Sequence, residues 1–198
     1  MSIQASIITI GDELLIGQVI DTNSAFIAQQ LNAIGVSLKH RVAVGDNAKD
    51  ITEAIDLAIS QNSVVILTGG LGPTADDITK PLLNSYFGGK MMVHQPTLDH
   101  ITYIFEQIHK KPMIDRNRKQ AEVPDVCEVL FNEKGTAPGM MFNKLNTLVF
   151  SLPGVPHEMK WLMTEQVIPI LTIWIAMGME FLMRLKKEQA LRHWIQMA

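Results

Sequence analysis

The chain has 198 residues, of which 47% are hydrophobic and 19% charged, and its formal net charge is −3. This composition excludes a disordered chain, and it leaves no basic field for a nucleic-acid backbone, so no nucleic-acid partner is expected. The single cysteine, Cys127, excludes an intramolecular disulfide and agrees with a reducing compartment, so a cytoplasmic location is expected.

In chain order, the first half alternates strand and helix. Ile7-Ile8-Thr9-Ile10 reads as a short buried strand ending at Gly11-Asp12. Asp21 or Thr22 caps a helix whose apolar stripe is Ile27, Leu31 and Ile34, and Gly35 stops it. Val36 to Val44 is a second strand, ending at Gly45-Asp46. Residues 47–60 give the clearest helix, with Ile51, Ala54, Ile55, Ala58 and Ile59 on one face. Val64-Val65-Ile66-Leu67 is apolar throughout, as expected of a central parallel strand covered by helices on both faces.

Helices are predicted from about Asp76 to Tyr86 and from Pro96 to His109, the second with Leu98, Ile101, Phe105 and Ile108 on one side. Val126 to Phe131 and Met140 to Phe150 read as strands, the latter as a hairpin turning at residues 143–146. Pro156 opens a helix running to about Leu171. The apolar stretch from Val167 to Met183 is broken by Pro169, Gly178 and Glu180. It falls short of the ~20 residues a spanning helix needs, so no membrane span is expected. This order predicts an α/β fold: one three-layer α/β/α domain with a mostly parallel sheet over residues 1–171. A divergent C-terminal tail follows over 172–198. There Ile173, Met177, Phe181 and Leu185 recur at helical spacing, so a docked helix competes with a dispensable remnant.

Ligands of open parallel sheets bind beyond the carboxyl ends of the strands. The unusual residues of this sequence collect there: Gly11-Asp12, Gly45-Asp46, Thr68 to Asp77, Asn132 to Gly139, and Leu152-Pro153-Gly154-Val155-Pro156. Gly69, Gly70 and Gly72 let backbone approach a ligand and turn N–H groups toward it, and the helix start after them suits phosphate. Thr74 and Asp77 stand at capping-box spacing, and Asp76-Asp77 beside the glycines suits a hard cation such as Mg²⁺. Glu13 and Glu158 rank lower, because an acidic residue early in a helix favours the dipole without any ligand. Five of the six histidines read as surface residues, Cys127 as a structural thiol, and Met91-Met92 and Met140-Met141 as packing residues.

Gly11-Asp12-Glu13-Leu14-Leu15-Ile16-Gly17 with Asp21-Thr22-Asn23 resembles the opening of the competence/damage-inducible CinA family. The resemblance extends through Thr68-Gly69-Gly70-Leu71-Gly72-Pro73-Thr74 with Asp76-Asp77, and through Asn132 to Gly139, which holds Gly135, Thr136, Ala137 and Pro138. It ends with Leu152 to Pro156 and Glu158-Met159, covering about Ser2 to Leu171. The resemblance implies the molybdopterin-binding fold of molybdenum-cofactor biosynthesis. It also implies ADP-ribose pyrophosphatase activity, giving AMP and ribose 5-phosphate with a divalent metal and K⁺.

By position it makes Asp46 and Asp77 the catalytic and metal-binding carboxylates, with Asp76 beside them. Gly11, Asp12, Thr68, Gly69, Gly70, Gly72, Thr74, Asn132, Gly135, Ala137, Gly139, Pro153, Gly154 and Pro156 are then the ligand-contacting set. Members of the family usually continue into a domain that deamidates nicotinamide mononucleotide. Nothing in this sequence resembles it, so that activity is not expected. A non-catalytic module binding a molybdopterin or a nucleotide would use the same loops and is the alternative expectation. Apolar surface on the helices and tail suggests a homodimer.

Overall fold

A computed structural model describes residues 3–72 and 78–178. Among them, β1 (Gln4–Ile10), β2 (Ser37–Val44), β3 (Val64–Thr68), β6 (Glu128–Leu130), β7 (Gly139–Lys144) and β8 (Thr147–Leu152) form one sheet in the order β2-β1-β3-β8-β7-β6. The pairs β1·β2, β1·β3 and β3·β8 are parallel; β7 runs antiparallel to both β8 and β6. The mostly parallel sheet of the sequence reading is therefore observed, with β7 as the reversed strand.

β3 shows why its sequence is apolar throughout. Successive side chains point to opposite faces of a strand. Val64 and Ile66 enter one core with Ile7, Phe150, Ile27, Leu31 and Leu162. Val65 and Leu67 enter the other with Ile8, Val149, Ile51, Ile55 and Leu83. Helices α2 (Thr22–Ala33), α7 (Pro156–Leu162) and α8 (Ile168–Met177) supply the first face. Helices α3 (Ala48–Gln61) and α4 (Thr79–Phe87) supply the second, completing three layers.

Asp12–Leu15 and Asp115–Arg118 form two short helices, α1 and α6, and local chemistry sets the ends of the longer ones. The Asp21 carboxylate accepts from Ser24 N–H at 2.9 Å and begins α2. Asn47 Oδ1 accepts from the N–H groups of Lys49 at 2.9 Å and Asp50 at 3.3 Å and begins α3. Such caps satisfy amides that have no partner within their own helix. Pro156 opens α7 as predicted. A wide π-turn at Met163–Val167 joins α7 to α8 just ahead of Pro169, whose ring lacks the N–H that a regular helix would use.

Several expectations are corrected. The helix α5 (Gln95–Tyr103) widens into a π-turn over Ile104–Ile108, which rotates its face, and Ile108 is 59% exposed rather than on the apolar side. Met91 and Met92 do not pack in the core; they lie exposed in β4 (Met91–Val93), which pairs antiparallel with β5 (Glu122–Pro124). Met140 and Met141 are buried as expected. His94 and His100 are half-buried rather than surface residues. Nδ1 of His94 lies 2.8 Å from Thr97 Oγ1, and His100 packs edge-on against Phe131. Cys127 is half-buried, and burial pushes its thiol up to about 12, in keeping with an inert structural role.

The last helix does not stop at Leu171. It continues to Met177, with Ile173 and Trp174 packed on the core, although Met177 is exposed. Phe181 and Leu185, the other members of that helical spacing, lie outside the described residues, as do Thr74, Asp76 and Asp77. Among the described residues no helix is long and apolar enough to cross a membrane.

Candidate functional site

Because β1, β2, β3 and β8 are parallel, their carboxyl ends meet along one edge of the sheet. The ends are tied together. Gly11 N–H donates to Val44 O at 3.0 Å, and Gly69 N–H donates to Leu152 O at 3.1 Å. These two amides hold neighbouring strand ends and are not free for a phosphate, contrary to the simple expectation for a glycine loop. What the glycines provide is space. A Cβ at Gly69 would strike the Ile10 carbonyl oxygen, and φ there is +117°. A Cβ at Gly154 would lie 3.3 Å from Gly69 Cα, so the two backbones touch and form a ridge.

Side chains brace that ridge. Thr68 Oγ1 donates to Pro153 O at 2.9 Å. The Asn23 side-chain amide donates to Thr68 Oγ1 at 3.2 Å and to Gly154 O at 2.8 Å. The sequence marks Asn23 only as part of a motif. Its role depends on Gly154, 131 positions away, and no local signal carries it.

Two small cavities flank Gly154, each of about 130 Å³. The first is lined by Thr9, Glu13, Asn23, Thr68, Gly69 and Pro156. The second is lined by Gly72, Gln120, Thr136, Ala137, Pro153 and Glu158. Each is smaller than the several hundred Å³ usual for a whole cofactor or nucleotide, so each suits one part of a ligand.

The remaining predicted residues separate by role. Asp12 and Asp46 meet at the ends of β1 and β2, each carboxylate accepting the other residue's N–H at 3.1 Å. Asn132 Nδ2 donates to Ala137 O at 2.9 Å and to Glu158 Oε2 at 2.6 Å. A Cβ at Gly135 would fall on the Glu158 carboxyl. A Cβ at Gly70 would strike Thr79 Oγ1. Gly139 is a packing residue: its Cβ would crowd Leu130, Leu152 and Leu162.

Glu158, ranked low on sequence, is instead turned inward and only 9% exposed. Burial holds its carboxyl above the usual carboxylate range, against the opposing pull of the Asn132 hydrogen bond and of His157. An early-helix glutamate normally faces solvent, so nothing local announced this.

Residues 6–172 match the family described as probable molybdopterin binding domain. A CinA-like protein of Flavobacterium psychrophilum is 49% identical over 166 residues, which is 84% of this chain and 40% of that protein. A solved CinA structure from Thermoplasma acidophilum, described as of unknown function, superimposes with a TM-score of 0.73. It is 32% identical and covers 83% of this chain and 97% of that one. The chain belongs to the CinA family.

Within the CinA family, the chain spans about 40% of the length of the curated relatives it matches, including a putative competence-damage inducible protein of Caldicellulosiruptor bescii at 44% identity. The molybdopterin biosynthesis enzyme MoaB of Thermus thermophilus has a TM-score of 0.59 at 18% identity, covering 89% of this chain and 98% of that one. That likeness shows the shared molybdopterin-binding fold.

Proposed function

We propose that this CinA-family domain hydrolyses the pyrophosphate bond of ADP-ribose or a similar nucleotide, giving AMP and ribose 5-phosphate. The observation that carries the reading is the pair of small cavities on either side of the Gly69–Gly154 ridge. A molecule with two bulky ends joined by a short bridge suits that shape. Glycine backbone on both sides of the ridge leaves room for the bridging phosphates. One water is added, the P–O–P bridge breaks, and the two monophosphates leave.

Among the described residues, no group of three His, Cys, Asp or Glu side chains converges to hold a metal. The carboxylates of Asp12 and Asp46, each held by the other residue's N–H, are hard oxygen donors of the kind Mg²⁺ accepts while keeping several waters. In this proposal Asp46, Asp76 and Asp77 are the residues that would hold Mg²⁺ or another divalent ion, and the family resemblance adds K⁺. A bound divalent ion would offset charge on the phosphate oxygens. Asp46 or Asp77 then positions or deprotonates the water. The same proposal places the protein in the cytoplasm as a homodimer.

The test is incubation of the purified chain with ADP-ribose, Mg²⁺ and K⁺, with Asp77→Asn as control. AMP release that the control lacks supports hydrolysis. Calorimetric binding of ADP-ribose or a pterin without product would replace it with a non-catalytic binding module.

A further inference from the structure

The sheet has an open edge at β2. Its order begins β2-β1-β3, and no described strand pairs with the other side of β2. Val44 O accepts from Gly11 N–H, so Val44 and, two positions back, Val42 turn their backbone groups toward β1. Arg41 and Ala43, at the alternate positions, turn theirs outward. Every residue from Lys39 to Ala43 is exposed. A row of open N–H and C=O groups of this kind is a template for another strand.

The side chains add a groove and a charge to that edge. A register shift between Ala5 and Ser6 leaves Leu38 on the α2 side, packed against the first core. His40 and Val42 then fall on the α3 side, with Val44 in the second core. There α3 presents Ala54 and Ala58, one turn apart, whose small methyl groups leave a cavity of about 310 Å³ beside Ile8 and Val42. Leu57 completes its apolar lining, and both Val42 (40% exposed) and Leu57 (58%) stand open to solvent. Lys39, His40 and Arg41 are consecutive basic residues, and Arg41 lies on the α2 side, donating to Ser24 Oγ at 3.0 Å. The α3 acids Glu53 and Asp56 face other partners, Lys49 at 3.8 Å and the Tyr86 hydroxyl at 2.5 Å.

We propose that β2 takes up an extended, acidic segment of a partner protein as a further strand of the sheet. Main-chain bonds to Arg41 and Ala43 would hold the segment, and one large apolar side chain would fill the groove between β2 and α3. Acidic side chains beside it would meet Lys39 and Arg41, which fixes the class of partner. A second copy of β2 fits poorly, because antiparallel pairing about a two-fold axis sets the two basic triplets against each other. None of the groove residues lines either cavity at Gly154, so this inference stands apart from the nucleotide reading.

Calorimetry and amide chemical-shift mapping on the whole chain test it with a short blocked peptide that alternates leucine with glutamate. A counterpart with lysine in place of glutamate is the control. The acidic peptide is expected to bind roughly tenfold or more tighter than the basic one and to shift the amides of Arg41 and Ala43. Ala54→Leu, which fills the groove, should weaken the acidic peptide about tenfold or more. Lys39→Glu, on an exposed side chain, should remove most of the preference between the two peptides. Equal binding of both peptides, shifts that avoid β2, or no binding at all overturns the inference. So does undiminished binding by Ala54→Leu. Slow hydrogen exchange at the Arg41 and Ala43 amides of the free chain also overturns it, by showing the edge already covered by a second copy or by residues 179–198.

Discussion

Asp12 and Asp46 each accept a hydrogen bond from the other's backbone N–H, at 3.1 Å in both directions. This reciprocal clasp joins the turns after β1 and β2 at the sheet edge. An amide can still accept the Asp12 N–H, so Asp46→Asn should keep the clasp while losing a negative charge. AMP release from ADP-ribose is expected to fall by about a hundredfold or more, the low end for losing a general base or metal ligand. Thermal melting should move little. A variant with unchanged turnover would remove Asp46 from the chemistry.

The ridge glycines should respond differently from one another. Gly69→Ala drives a Cβ into the Ile10 carbonyl at a positive φ, and backbone cannot yield cheaply. A loss of about 2–3 kcal/mol or more is expected in denaturant unfolding, the cost of strained backbone plus overpacking. Gly154→Ala meets only Gly69 Cα at 3.3 Å and is exposed. It should unfold almost normally yet bind nucleotide roughly tenfold more weakly, because one methyl has that effect in a fitted pocket.

Glu158 gives a pH-dependent stability with a defined sign. Its folded-state carboxyl titrates above its ordinary value, with burial the leading cause. Between those two values the folded state binds more protons than the unfolded state, so this group's contribution to stability declines as pH rises through that window. Glu158→Gln cannot titrate there. The stability difference of the variant relative to the unmutated chain should therefore grow in the variant's favour as pH rises, then level off above the folded pKa. A difference that is flat with pH in parallel unfolding curves would show that the buried carboxyl keeps an ordinary pKa.

Two truncations separate the last helix from the site. Ending the chain after Met177 retains Ile173 and Trp174 on the core; ending it after Leu171 removes both and uncovers the fully buried Leu171. The shorter form should lose about 1–3 kcal/mol relative to the longer one, as expected for exposing one large apolar side chain. Both should bind ribose 5-phosphate within a few-fold, because the residues of both cavities precede position 171. Equal melting of the two forms would show that 172–177 add nothing to the core.

The sequence by itself determined what depends on neighbours in the chain. A run apolar on both faces made β3 a central strand, Asp21 and Asn47 marked helix starts, and Pro156 opened α7. The hairpin between β7 and β8 was legible too, its turn falling at Leu145 and Asn146, both at positive φ. The gathering of Gly11, Asp46, Thr68 and Gly154 at one edge followed from strand direction alone. Tertiary structure decided the rest, because pairing between distant segments has no signature within either one. It set β8 beside β3, joined β4 to β5, and gave the Gly11 and Gly69 amides to neighbouring strands. It also turned Glu158 inward onto Asn132, 26 positions away, and left Gln120 Oε1 buried without a partner. Periodicity tells a residue which face it occupies. Only the packed loops decide whether a carboxyl on that face meets water or a ligand.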